Sequence, residues 1–211
     1  MQEREQPSFE EQYAQLPEVV HSYLEHVRVQ KRLAERTHTL YALDLIKLQS
    51  FAQAAAQELL ALQPSHIRRF AAQMHGAGRS ARGIALILSG WRSFFRWAAQ
   101  RELVPFNPVE GVRGPKAAKP LPKALAVDDA VQLASFHNPE ADPWMEARDV
   151  AMTELLYSGG LRVGELVGLN LQPGDAAQSG WIDWEAAEAH VLGKGGKRRT
   201  VPVGKHALAA L

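Results

Sequence analysis

Two short stretches combine residue types and spacings that suit phosphate chemistry. In Leu155 to Leu169, LLYSGGLRVGELVGL, an apolar run ends at Ser158-Gly159-Gly160 and a second starts at once, with Arg162 at the junction and Glu165 three residues on. Adjacent glycines end a helix cheaply because Gly accepts positive φ, which predicts Arg162 in the first turn of a new helix. The i, i+3 spacing puts Glu165 on the same face, able to hold the guanidinium in one orientation. An arginine aimed at a helix N-terminus suits a phosphate, because the free N–H groups there favour anions too. Taken alone, the pair reads more readily as an Arg–Glu contact on a solvated helix.

The second stretch is Gly193-Lys194-Gly195-Gly196-Lys197-Arg198-Arg199. It reads as a tight turn between strands with Lys194 at its tip, a positioned point charge and a candidate proton donor. It is not a P-loop, which needs GxxxxGK[ST] and a following helix, whereas a strand follows here. By itself it reads more readily as an ordinary glycine turn decorated with cations.

These residues sit in a chain with a lopsided charge distribution. The net charge is +1, but residues 1–115 carry +3, residues 116–123 carry +3 and residues 124–211 carry −5. No acid lies between Glu58 and Glu102, while Arg68, Arg69, Arg79, Arg82, Arg92, Arg96 and Arg101 all do. A block that excludes carboxylates and uses only arginine is the footprint of a phosphate-facing surface. With 46% apolar residues the chain buries a real core, and with no cysteine it has neither disulfides nor thiolate metal sites. The polar N-terminus lacks an apolar signal region and no later apolar run reaches about 18 residues, so secretion and membrane spanning are not expected. A cytoplasmic setting is expected.

The elements that must position the two stretches follow from periodicity. Val20, Tyr23, Leu24 and Val27 predict a helix over 17–29 with Pro17 as its first residue; Leu40, Tyr41, Leu45, Leu48, Phe51 and Ala52 predict one over 37–56. Pro64-Ser65 starts a third, carrying Ile67, Phe70, Ala71 and Met74, which Gly76 and Gly78 stop. The fourth runs from a Ser80 cap to about Gln100. Its Ile84, Ile87, Leu88, Trp91, Phe94, Phe95 and Ala98 fall in one arc, and Arg82, Ser89, Arg92, Ser93 and Arg96 in the opposite one. The aromatics read as core and the arginines as a phosphate-facing stripe.

Residues 105–123, PFNPVEGVRGPKAAKPLPK, are rich in proline and basic through Lys116, Lys119 and Lys123, an extended linker between two domains. A short helix opened by Asp128 follows, then a helix capped by Asp142-Pro143 that runs into Tyr157. Residues 180–184, 189–192 and 199–203 read as three strands of an antiparallel meander, and a last helix begins near Lys205. Ending there is unexpected for a complete domain.

The ordered pair SGGLRVGEL and GKGGKR resembles the first half of the catalytic domain of a tyrosine recombinase, of the phage integrase family. Arg92-Ser93-Phe94-Phe95-Arg96-Trp97, Asn107-Pro108, Pro115-Lys116 and Leu121-Pro122-Lys123 are similar to the core-binding domain and linker of its XerC/XerD type, and to XerC more than XerD. The resemblance covers about Phe9 to Leu211. It implies a mainly α fold: a four-helix SAM-like DNA-binding domain over 1–104, the linker over 105–123, and over 124–211 the α+β front of a catalytic domain with a small antiparallel sheet. It implies Arg162 as the arginine clamping the scissile phosphate, Lys194 as general acid, Glu165 as the support of Arg162, and a DNA-binding role for Arg79, Arg82, Arg92, Arg96, Lys116, Lys119 and Lys123.

The implied activity is site-specific recombination through a 3′-phosphotyrosyl bond, without metal or other cofactor, on duplex DNA. Chromosome dimer resolution, a XerD-like partner in a heterotetramer and a DNA translocase are the implied context. The family's HxxR motif, its later His or Trp and its nucleophilic Tyr follow the lysine hairpin, and nothing in this sequence matches them. His206 is too close to the hairpin and lacks an arginine three residues on. Tyr157 precedes Arg162 inside an apolar run and is expected to be packed, and Tyr13, Tyr23 and Tyr41 belong to the first domain. The chain therefore reads as a C-terminally truncated recombinase, inactive alone. A phage or integron integrase, or a non-catalytic DNA-binding module of the same fold, are the alternatives.

Overall fold

Ser8 opens the first helix with a capping box: its hydroxyl accepts from the Glu11 N–H while the Glu11 carboxylate accepts from the Ser8 N–H. This α1 (Phe9–Ala14) precedes α2 (Glu18–Glu25), which widens into a π turn at His26–Gln30. Then come α3 (Glu35–Ala54), α4 (Pro64–Gly76) and α5 (Ala81–Gln100). The computed structural model describes residues 7–116, 124–136, 138, 140, 142–174, 179–193 and 195–211. It divides into two compact units, Met1–Pro120 and Leu121–Leu211.

In the first unit α5 is the central rod. Its Ser80 cap accepts from the Gly83 N–H, and every residue of the expected apolar arc is buried. Trp97, outside that arc, is buried as well, its ring against Tyr23 and Phe94. Phe70 stacks on Phe51 and meets Trp91 edge-on, so α3, α4 and α5 share one aromatic core. The α3 stripe is largely the expected one: Leu45, Leu48 and Ala52 are buried and Tyr41 and Phe51 pack against the core, while Leu40 is exposed and Ala42 is buried instead. Gly90 permits a close approach of α3 to α5. A Cβ at Gly90 would collide with the Asp44 carboxylate, and Trp91 Nε1 donates to the Asp44 carbonyl at 2.6 Å.

The second unit begins with α6 (Val127–Ala134), whose N-cap is Ala126; Asp128 lies inside the first turn and caps nothing by side chain. In α7 (Pro143–Gly159) the expected start holds, with Asp142 accepting from the Trp144 and Met145 N–H groups and Pro143 first. Gly160 ends it in the left-handed region at φ 56°. A short α8 (Val163–Val167) leads into β1 (Leu169–Asn170), β2 (Gly180–Asp183), β3 (Glu188–Leu192), β4 (Arg198–Pro202) and α9 (Lys205–Ala210).

The sheet is mixed. The β2–β3–β4 meander is antiparallel as expected, but β1 pairs in parallel with β2, giving the order β1-β2-β3-β4. A two-residue strand has no periodicity to read, so this edge carries no sequence signal. Ile182, Ala189 and Val191 bury one sheet face with Leu155, Leu161, Leu166, Val203 and Ala207. Among the described residues no helix is long and apolar enough to cross a membrane.

Candidate active site

Arg162 is the N-cap of α8 and not, as expected, a residue of its first turn; its backbone is extended at φ −79°, ψ 150°. That geometry turns its own N–H toward the following turn. Glu165 receives it: the Arg162 N–H donates to Glu165 Oε2 at 2.8 Å, and Arg162 Nη1 donates to Oε1 at 2.9 Å. One carboxylate thus fixes both the backbone and the guanidinium of Arg162. The rest of the Arg162 side chain stays open to solvent, 73% exposed against 4% for Glu165.

Burying a carboxylate is costly unless it is paired and hydrogen-bonded, and a second cation reaches Glu165 from the sheet. Arg199 on β4 donates from Nη1 to Glu165 Oε1 at 2.7 Å and from Nη2 to Oε2 at 3.0 Å, a two-pronged pair. The Arg162 backbone N–H holds the Glu165 carboxyl below the usual carboxylate range, and both guanidiniums add to this against the opposing effect of burial. Arg199 has no local signal linking it to Arg162. Only the folded sheet brings them to one carboxylate.

The hairpin reaches the same point. Gly193 closes it by donating to the Lys197 carbonyl at 2.7 Å, and Gly195 and Gly196 turn it at φ +77° and +73°. A Cβ on Gly193 would stand 3.3 Å from Glu165 Oε1, so the base of the hairpin lies against the carboxylate that holds Arg162. Lys194 itself lies outside the described residues, as do Lys119 and Lys123.

The basic stripe of α5 divides on inspection. Arg82 is exposed, and so are Arg79 before the helix and Lys116 after it. Arg92 is half-buried and donates to the Val112 carbonyl at 3.1 Å, while its own carbonyl accepts from Asn107. It fastens the segment after α5. Arg96 is exposed with Glu110 3.9 Å away, an acid absent from the helix but present beside it in space. Tyr157, expected to be packed, is 53% exposed, because the last turn of α7 buries Leu155 and leaves the next residues outside. Tyr23 is sealed in the first core with its hydroxyl donating to Ser93 Oγ, and burial pushes its pKa up. Among the described residues no cluster of acidic or histidine side chains could hold a metal ion.

Comparison with known proteins gives this arrangement a family. The chain matches the phage integrase N-terminal SAM-like domain over residues 20–102 and the phage integrase family over residues 123–211. It belongs to the phage integrase family, the tyrosine recombinases. Within that family it is 50% identical to tyrosine recombinase XerC 1 of Ralstonia nicotianae over 196 residues, which are 90% of this chain and 59% of the relative. It is 35% identical to tyrosine recombinase XerC of Pseudomonas aeruginosa over 191 residues, 90% of this chain and 60% of the relative. The chain thus spans about 59% of the length of the first of these relatives. Its fold is similar to a lambda integrase (75–356) dimer bound to a COC′ core site, at TM-score 0.63 and 19% identity, covering 90% of this chain and 64% of that one. The Tn1549 transposon integrase (aa 82–397) in complex with circular intermediate DNA has TM-score 0.62 and 19% identity, covering 91% and 62%.

Proposed function

We propose that the chain acts in site-specific recombination of duplex DNA, with Arg162 and Lys194 set against one phosphate. The observation that carries this reading is the single buried carboxylate of Glu165, which orients Arg162 and lies against the residue preceding Lys194. In the proposed step a tyrosine hydroxyl releases its proton to solvent as its oxygen attacks the phosphorus, the bond to the 5′-oxygen breaks, and a 3′-phosphotyrosyl bond forms. Arg162 offsets the charge that develops on the non-bridging oxygens. Lys194 gives its proton to the departing 5′-oxygen. Tyr13, Tyr23, Tyr41 and Tyr157 all precede the lysine hairpin, whereas the family's nucleophile follows it, and on this reading the 211-residue chain binds duplex DNA without cleaving it. Its likeness to XerC proteins supports chromosome dimer resolution as the setting, with a XerD-like recombinase and a DNA translocase as partners in the cytoplasm. Residues 1–104 serve as the DNA-binding domain, to whose core Val109 and Val112 belong, so that of 105–123 only the stretch after Val112 is left to act as a basic linker to 124–211.

The test uses nicked duplex DNA carrying the recombination site of the Ralstonia relatives. The 211-residue chain should retard this duplex without leaving a covalent band on a denaturing gel. Arg82→Glu with Arg96→Glu should lower affinity at least about tenfold and flatten the slope of log affinity against log salt by about 2. No duplex binding would sink the reading, and a covalent band would make exposed Tyr157 the first suspect. In a chain that also carries the tyrosine, Lys194→Ala should slow cleavage by about 10²–10⁴-fold. A sulfur leaving atom, needing less protonation, should restore most of that rate.

A further inference from the structure

Local spacing puts one acid beside Arg162, and the fold adds Arg199. Glu165 accepts four hydrogen bonds, two from Arg162 and two from Arg199. Arg199 lies on β4, just past the hairpin, while Arg162 caps α8, a helix of five residues. So short a helix has little rigidity of its own, and it borrows the sheet's through this carboxylate.

The charges matter as much as the geometry. A lone Arg162–Glu165 pair is neutral, and an approaching phosphate would compete with the carboxylate for the guanidinium. With Arg199 occupying both carboxylate oxygens the cluster is net positive, so Arg162 keeps donors and charge for an anion. Arg199 is itself more covered than Arg162, with its side chain 38% exposed against 73%, which suits a support more than a direct contact.

We propose that Arg199 is a positioning residue: it holds the Glu165 carboxylate that orients Arg162 and thereby ties the β3–β4 hairpin to α8. The proposal rests on the reading of Arg162 as a phosphate-binding group. Lysine at position 199 keeps the charge but loses the fork, which separates the two contributions.

The test follows the Arg162 guanidinium directly, by nitrogen-15 side-chain NMR of the 211-residue chain. Rotation about its terminal C–N bond should be slow in the parent and faster by about tenfold in both Arg199→Ala and Arg199→Lys, as expected for loss of a charge-assisted hydrogen-bond network. In the same samples the carboxyl carbon of Glu165 should titrate at higher pH in Arg199→Ala than in the parent. Should Arg199→Ala unfold the second unit, Arg199→Lys decides, with amide spectra of β2 and β3 showing whether its fold is intact. Unchanged Arg162 rotation and unchanged Glu165 titration in a folded variant would overturn the proposal. Duplex affinity measured alongside keeps the two ideas apart: a parent that fails to bind DNA refutes the recombinase reading, while the NMR result still judges Arg199.

Discussion

The helical unit seals Tyr23, Phe70, Trp91, Phe94 and Phe95 below 2% exposure, whereas the buried cluster of the unit carrying Arg162 contains aliphatic side chains alone. The second unit also leaves large apolar groups outside, among them Val127, Phe136, Trp144, Val163 and Val167. A buried aromatic ring removes far more surface from water than an alanine or valine does, so the two cores differ in depth more than in kind. The difference teaches where order comes from in each. Aromatic packing dominates the first unit; in the second, the hydrogen bonds to the Glu165 carboxylate add to an aliphatic core and a four-stranded sheet.

Trp91→Ala should have the largest effect, a loss of about 3–5 kcal/mol confined to the first unit. Hydrogen exchange checks it: amides of α3 and α5 should lose protection while those of β3 and β4 keep theirs. Simultaneous loss in both would break the distinction between the units. Gly90→Ala comes next, at about 1–3 kcal/mol, because its Cβ meets the Asp44 carboxylate in the α3–α5 crossing. Thermal melts of Gly90→Ala, Asp44→Ser and the double variant should show the double recovering much of the loss.

Asp44 sharpens the contrast with Glu165, for the two carboxylates shift in opposite directions. Burial raises the Asp44 pKa from 3.8 to about 6, against the pull of Arg79 and Lys47. A raised carboxyl binds its proton more tightly when folded. Its contribution is therefore complete below about pH 4 and is lost as pH rises through 6. Denaturant unfolding of the parent against Asp44→Asn should show the variant gaining about 1–2 kcal/mol at pH 7.5 and nothing at pH 4, a figure reduced for the partial exposure of the group. Equal gains at both pH values would refute the assignment. Glu165 works the other way, its contribution present above the ordinary carboxylate range and lost on acidification. The smallest effect belongs to Gly160→Ala, which forces a side chain into the left-handed region at φ 56° and should cost about 1 kcal/mol, visible only in the melting of the second unit.

What could be read in advance followed local periodicity. The α5 arc, the Ser80 and Asp142-Pro143 starts and the Arg162–Glu165 pair all depend on residues within a turn of one another, and the structure contains them. Ser8 and Glu11 carry a capping-box spacing that announces α1, a signal present but unused. The partners joined across distance were not readable: Arg199 meets Glu165 over 34 positions and Arg92 meets Val112 over 20. Neither periodicity nor propensity reports such contacts. An apolar run suggests burial on every side, whereas the core beneath α7 covers Leu155 and leaves Tyr157 exposed.

The grip of Glu165 on both ends of Arg162 has an entropic consequence. A free arginine gives up rotamer freedom worth roughly 1.5–2 kcal/mol when it is immobilised. Here the backbone N–H and one terminal nitrogen are held by Glu165 of the same chain. Much of that freedom is therefore surrendered when the chain folds. An anion arriving at Arg162 meets a side chain with little left to lose, and the saving appears as affinity without any added contact.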